Sequence, residues 1–576
     1  MIVLGLSGAV FHDPSAALFI DGELVAAVEE ERFLRDKHAK GKFPYLSVEF
    51  CLKQAGITAK DVDVVAFPFD NISLASKARW HYAKRHWYAP DRALTAIFNG
   101  NRRAKRNFKQ ALKLMADMGF DANKTRFHPI EHHLAHASSA YHMSGFKEKT
   151  AIITIDGKGE YATTSFAYGE NGKIHKIKEF YDPDSLGGLY GAITEYLGFE
   201  MLDGEFKVMG MAPYGDPNKY DFSRLVEYGN GEYKVNTEYA NVIGLRRYKD
   251  EDSGKGYFFS PKLIDWLGPK RSGDEIDDPY IDYAASIQQL LEKVALHLIE
   301  YHLGDIIKET GKIAFAGGVA LNVKLNQRII AMDGVKELFV QPAASDAGTA
   351  IGAASYVANE LGDSVKKMEH AYLGPAFTTE ECIEACKNHP EKPKFEIVDD
   401  AAEAAAKILT GGDPISWFQG RMEFGPRSLG CRSILGVPNI PGIADKVNEQ
   451  IKYRERWRPF CPSILDTIAE EMLQTSHPSP YMTFTFDVEK SWHTRVPEVV
   501  HEDGTARAQG VTEDTNPVYY KLLKKVEEVT GNGVLLNTSL NRRGEPMVCS
   551  PEDALNMLFG SDLEYLVMEN VLVTKG

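Results

Sequence analysis

The chain has 576 residues, more than one ordinary domain holds, and its 44% hydrophobic and 26% charged residues are those of a globular protein with a large core. Its 66 Lys and Arg against 81 Asp and Glu leave a net charge of −15, so the surface as a whole repels nucleic acid and anionic membranes, and any anion site is a local basic cluster. The opening MIVLGLSGAV lacks the basic and long apolar regions of a signal peptide, and no apolar run reaches the roughly 18–20 residues of a membrane span, so a cytoplasmic protein is expected.

In chain order, a strand is predicted at Ile2–Leu6, a second near Ala16–Ile20 and, after an Asp21–Gly22 hairpin turn, a third at Leu24–Val28. Strand, tight turn, strand, hairpin, strand is the opening of the actin-like ATPase fold. Residues 77–113 then carry about eleven Lys and Arg against one acid, Asp91, interleaved with Trp80, Tyr82, Trp87, Tyr88 and Phe98. This stretch reads as a solvated amphipathic helical insertion, or as an acceptor-binding or lid element that grips an anionic or glycan substrate; nucleic acid is a weaker third option because the rest of the chain is acidic. The β-rich opening recurs at Ala151–Ile155, Asp156–Gly157 and Ala162–Tyr168, with a further strand after Gly169–Gly172, which suggests a duplicated domain. Helical spacing runs from Asp282 to Thr310, followed by a strand at Ile313–Ala316 and a helix at Thr349–Leu361. A linker near 366–377 precedes a second α/β unit, which opens with a helix at Thr379–Asn388. The cysteines, Cys51, Cys382, Cys386, Cys431, Cys461 and Cys549, form no CxxC pair. Zinc-knuckle and dithiol redox readings are thereby excluded, and Cys382 and Cys386 read as core thiols in a reducing compartment.

Five patterns carry chemistry. His132 and His136, four apart, share a helix face and can bind one divalent ion, or form a capped core pair. Asp156, ahead of Gly157 and Gly159, suits a turn facing metal-bound phosphates, or a plain hairpin. Gly317–Gly318, between strand and helix, lets backbone approach a nucleotide, with Asn322 capping the helix or touching the ligand; a simple strand-to-helix turn is the alternative. Asp346, in Ser345-Asp346-Ala347-Gly348, is a helix cap or a metal ligand. In the second unit, Arg421, Gly425-Pro426-Arg427, Lys452 to Arg458, Arg507 and Asn537 to Asn541 supply the parts of a phosphate pocket, unless the arginines only pair with Glu423, Glu455 or Glu545. Such surface pairing is expected of Arg454 or Arg456.

Together these patterns resemble the O-carbamoyltransferases that decorate nodulation factors, cephalosporins and aminoglycosides. The matching pieces, in order along the whole chain, are Phe11-His12-Asp13, Ser15-Ala16-Ala17-Leu18, Glu29-Glu30-Glu31-Arg32-Phe33, His132-His133-Leu134-Ala135-His136, Met209-Gly210, Gly317-Gly318-Val319, Ala344-Ser345-Asp346, Gly425-Pro426-Arg427, Trp457-Arg458-Pro459-Phe460 and Leu536-Asn537-Thr538-Ser539. Each is weak alone; their joint order is specific.

The resemblance implies a duplicated actin-like ATPase fold with ribonuclease H-like subdomains (about 1–150 and 151–365) and a YrdC-like α/β domain over 376–576. It further implies that carbamoyl phosphate and ATP give carbamoyl adenylate in the C-terminal domain, and that the carbamoyl group passes to an acceptor hydroxyl in the N-terminal one. Carried over by motif, His132, His136, Asp346 and Asp156 hold a divalent metal (Fe2+ in the family's known case, with Mg2+ accompanying ATP). Asp156, Gly157, Gly317, Gly318 and Asn322 face nucleotide. Arg427, Lys452, Arg458, Arg507, Asn537, Ser539 and Asn541 surround carbamoyl phosphate. His12 is implied as general base and Lys37 as charge stabiliser. The basic stretch would repel a polycation, so a small-molecule, glycan or lipid-linked hydroxyl acceptor is expected rather than an aminoglycoside. Rival readings are an actin-like-fold sugar or acid kinase and a tRNA-modification partner protein; the net charge argues against autonomous nucleic-acid binding. A homodimer is compatible with the sequence.

Overall fold

A computed structural model describes residues 1–8, 12–250, 253–273, 275–449, 455 and 457–575. The expected strands form where alternation and turn chemistry put them. Ile2–Leu6 pairs antiparallel with Ser15–Ile20 and parallel with Val64–Phe67, which pairs parallel with Arg126–Pro129. The Asp21–Gly22 turn has φ of 49° and 81°, the left-handed pair that a tight hairpin between twisted strands demands. It leads into Glu23–Glu29 at the sheet edge.

The second sheet repeats this plan. Thr150–Ile155 pairs antiparallel with Ala162–Glu170, which turns back into Lys173–Tyr181, and parallel with Lys312–Ala316, itself parallel to Glu337–Val340. Both five-stranded sheets thus run hairpin-edge, hairpin, centre, parallel, parallel, the duplicated order of ribonuclease H-like subdomains in actin-like ATPases. The 31-residue helix Tyr280–Thr310 leads into the first parallel strand of the second sheet.

Two helices fill the space between the sheets. His132–Ser144 packs on the second sheet, where Ala137, Ala140 and Tyr141 meet Ile152, Ala167 and Ala314. Thr349–Glu360 packs on the first sheet and on the histidine helix. Their backbones touch: a Cβ at Gly352 would lie 1.8 Å from the Ala135 carbonyl oxygen, and Ser138 Oγ meets Ser355 Oγ at 2.9 Å. Only a run of small residues on both helices permits that approach.

By contact the chain divides into two units. One comprises Met1–Leu24, Gly41–Phe43 and Gly56–Lys367; the other comprises Val25–Lys40, Pro44–Ala55 and Met368–Gly576. Residues 25–40 and 44–55, which sequence order assigns to the N-terminal domain, therefore group with the C-terminal unit. That unit is built on an eight-stranded mixed sheet with Ile415–Phe418, Arg432–Gly436 and Val534–Ser539 at its centre. Helices Ala401–Thr410 and Pro517–Thr530 cover one face around buried Trp417 and Leu522. Cys382 and Cys386 are buried in Thr379–Asn388, and none of the six cysteines is in a disulfide. Among the described residues no helix is long and apolar enough to cross a membrane.

Candidate functional site

The close helix crossing brings four donor groups together. His132 and His136 lie one turn apart, with their Nε2 atoms 3.1 Å from each other. Asp346, in the turn just before Thr349–Glu360, sets Oδ1 3.5 Å from His132 Nε2 and 3.8 Å from His136 Nε2. Asp156, at the end of Thr150–Ile155, sets Oδ2 3.7 Å from His132 Nε2. All four ligand atoms fall within 4.8 Å of one another. Donors about 2.1 Å from one ion at tetrahedral angles stand roughly 3.4 Å apart, so the spacing suits a single cation.

The surroundings hold these side chains in the ligating orientation. His132 Nδ1 faces the Pro68 carbonyl at 3.2 Å, an acceptor for a proton there, which turns Nε2 toward His136 and the two aspartates, and Phe69 stacks on the ring at 4.6 Å. Glu160 accepts from the His132 and Asp70 amides and anchors the start of the histidine helix. Two bare imidazole nitrogens repel at 3.1 Å unless one carries a proton or both share a cation. Burial and the neighbouring His132 push His136 down to about 4, whereas Asp346 and Asp156 hold His132 well above its ordinary value against burial. An N2O2 set of buried imidazoles and carboxylates is therefore a fitting site for a divalent metal.

Backbone glycines shape the floor of this site. Gly317 has φ 95°, and a Cβ there would stand 2.4 Å from the Ile155 carbonyl oxygen, so only glycine lets the turn pass the strand end. The Gly318 amide then donates to Asp156 Oδ1 at 2.9 Å. Gly157 follows Asp156 in the turn, and its carbonyl accepts from Ser185 Oγ at 2.7 Å; Ser185 itself caps Leu186–Tyr196. Asn322 is a helix cap: its Oδ1 accepts from Leu325 N, and its amide exchanges bonds with Gln288 at 2.9 and 3.0 Å. His12 hydrogen-bonds Asp13 at 3.0 Å; burial would lower it, yet Asp346, Asp13 and Asp156 raise it to about 9. Lys37 opens the short turn Lys37–Ala39, in the segment that groups with the second unit.

The second unit assembles the arginines. Burial and nearby Arg507 push the Arg427 guanidinium down; burial, Arg543 and Arg507 do the same to Arg458, against the pull of Glu455. Arg458 and Arg543 both reach Glu455 at 3.5 Å, so one carboxylate serves two cations. Arg507 Nε donates to Cys461 Sγ at 3.0 Å, and Cys461 stands opposite Asn537 in the sheet. Asn537 binds Ser428, next to Arg427, and Ser463. Ser539 and Asn541 bond each other at 2.6 Å. More guanidinium than carboxylate in one place is an arrangement that an anion stabilises. Lys452 lies outside the described residues, as do Phe11, Arg454 and Arg456.

Sequence reasoning missed what holds the Arg427 loop. Glu29 Oε1 accepts from the Gly425 amide at 2.8 Å, and Arg32 donates to the Gly425 carbonyl at 2.8 Å while pairing with Glu29 at 3.1 Å and Glu31 at 3.0 Å. Arg35 donates to the Met547 and Pro546 carbonyls. The Glu29-Glu30-Glu31-Arg32 run was visible, but nothing in its spacing tells which distant loop it grips. Arg421 donates to the carbonyls of Val25, Leu373 and Gly374, so it is a structural fastener of this unit.

Comparison with known proteins agrees with these parts. Residues 2–355 match the carbamoyltransferase N-terminus family and residues 406–575 the carbamoyltransferase C-terminus family. The protein sll1178 of Synechocystis sp. is 38% identical over 617 aligned residues, covering 100% of this chain and 96% of that one. The nodulation protein NolNO of Sinorhizobium fredii is 35% identical over 604, covering 100% and 83%. The nodulation protein NolO of Bradyrhizobium diazoefficiens is 36% identical over 460, covering 77% and 79%. With both family domains matched in order over most of its length, this chain belongs to the carbamoyltransferase family.

Proposed function

We propose that the protein is an ATP-dependent O-carbamoyltransferase working in two steps. In the second unit one water hydrolyses carbamoyl phosphate to carbamate and phosphate, and a carbamate oxygen then attacks the α-phosphorus of ATP to give carbamoyl adenylate, with pyrophosphate leaving. The acceptor hydroxyl then attacks the carbamoyl carbon in the first unit, and AMP leaves. The observation that carries this reading is the convergence of His132, His136, Asp156 and Asp346 beside the Gly317–Gly318 turn, in a chain that gathers Arg427, Arg458 and Arg507 elsewhere.

In the first step Arg427, Arg507 and Arg458 bind the phosphate and offset the charge it carries away. Ser428 and Ser463 orient Asn537 next to them. In the second step the turns at Gly157 and Gly317–Gly318 face nucleotide phosphate, with the Gly318 amide holding Asp156 in place. His12 takes the acceptor hydroxyl proton, a role worth about 10²–10⁴-fold. That role requires Asp346 and Asp156 to spend their charge elsewhere than on His12. The four donors would hold a divalent ion, iron in the family this chain resembles, which when bound polarises a carbonyl or phosphoryl oxygen. Lys37 is a charge stabiliser in the resemblance alone. The acceptor is a hydroxyl of a small molecule, a glycan or a lipid-linked compound.

Incubation with ATP, with and without carbamoyl phosphate, tests the reading through pyrophosphate and AMP release. Pyrophosphate release that ignores carbamoyl phosphate would sink it and favour a kinase-like activity.

A further inference from the structure

Residues 77–113 of the first unit expose apolar and cationic side chains, while Tyr82 packs inward on Tyr161 and Lys158 in the loop that follows Asp156. The basic stretch folds as three helices, Lys77–Arg85, Pro90–Asn99 and Arg102–Asp117. Ala78, Ala96, Ala104, Asn107, Ala111, Leu114 and Met115 face inward and are buried. Arg79 ties the first two helices by donating to the Ile97 carbonyl at 3.2 Å. Outward, Leu94 and Phe98 stand one turn apart at 55% and 74% exposure, Trp80 is 52% exposed on the first helix, and Trp87, in the turn after it, is 72% exposed. Leu245, 96% exposed, sits beside them, because Arg246 lies over the Tyr88 ring at 3.9 Å and near Trp87 at 5.4 Å. The outer face of the third helix carries Arg102, Lys105, Lys109 and Lys113 at helical spacing, all exposed.

We propose that this face docks on an anionic lipid bilayer. The cations meet the headgroups, and Trp87, Phe98 and Leu245 enter the boundary between headgroups and acyl chains. Aromatic rings would also stack on bases or sugars, but exposed Leu94, Leu112 and Leu245 gain nothing from a phosphate backbone or a glycan. The headgroup boundary rewards aliphatic, aromatic and cationic side chains together. The chain's net charge of −15 repels the rest of the surface from the same membrane, which confines contact to this face and fixes the orientation. Docking would bring the transfer unit to acceptors tethered to lipid. It needs neither ATP nor carbamoyl phosphate, so its failure and that of the carbamoyl chemistry are separately visible.

The test is sedimentation of the full chain with vesicles, and tryptophan emission in their presence. Binding and a blue shift are expected with phosphatidylglycerol-containing vesicles and not with phosphatidylcholine alone. Lys105→Gln with Lys109→Gln should weaken binding roughly 30-fold, since each lysine near the surface is worth about fivefold. Trp87→Ser with Phe98→Ser should abolish binding at physiological salt without changing the melting temperature, both side chains being exposed. Absence of binding to anionic vesicles overturns the proposal. So does equal binding to neutral ones, or binding to heparin as tight as to vesicles and indifferent to the Trp87 and Phe98 changes.

Discussion

Arg32→Ala tests how the second unit is built. The change removes the cation between Glu29, Glu31 and the Gly425 carbonyl, and leaves a carboxylate only 7% exposed without its guanidinium. Stranding one partner of a buried ion pair costs about 3–5 kcal/mol. In a unit of ~200 residues each kcal/mol moves Tm by about 2–4 °C, so a fall of roughly 6–20 °C is expected in the transition of the second unit. Calorimetry of the full chain measures it. Glu29→Gln in the same background removes the stranded charge and should recover part of the loss. Arg32→Lys keeps the charge but not the planar fork that serves carboxylate and carbonyl together, so it should fall between. At a temperature where the variant is folded, the KM for carbamoyl phosphate should rise more than kcat falls, because Gly425 sets the position of Arg427. An Arg32→Ala protein melting within about 2 °C of the parent, with unchanged KM, would refute the reasoning.

Three further outcomes are expected. His136→Ala should lose bound metal, read by elemental analysis, and acceptor transfer, yet keep carbamoyl-phosphate-dependent pyrophosphate release; Arg458→Ala should show the reverse, and identical failure of both at the first step would contradict the division of labour. Gly317→Ala forces a Cβ against Ile155 at φ 95° and should cost about 2 kcal/mol or more by thermal melt with loss of metal, whereas Gly318→Ala, facing only Asp156 Oδ1 at 3.0 Å, should be milder. Burial would raise the Asp184 carboxyl, but bonds from His81 and Arg85 hold it below its usual value. Its contribution to stability is therefore full above about pH 4 and lost as pH falls through the lowered value, and Asp184→Asn should flatten the slope of Tm against pH in that acid window.

Much of the first unit is written locally. Ile2–Leu6, Asp21–Gly22, Ala162 onward and the helix ending at Thr310 follow from alternation, left-handed turn residues and helical spacing, all short-range effects. The i, i+4 spacing likewise puts His132 and His136 on one face whatever surrounds them. Sequence alone left open whether that pair, Asp156 and Asp346 were ligands, hairpin and cap, because 190 positions separate Asp156 from Asp346 and no periodicity spans such a gap. Packing brings them together: Gly352 against Ala135 lets two helices touch, and that contact sets Asp346 beside the histidines. The same holds for the second unit. Charge composition revealed an arginine-rich region, while the grip of Glu29 and Arg32 on Gly425 exists only because residues 25–40 and 44–55 group with the second unit. Local chemistry determined the elements and the donor types; long-range burial of small residues and paired charges determined which of them meet.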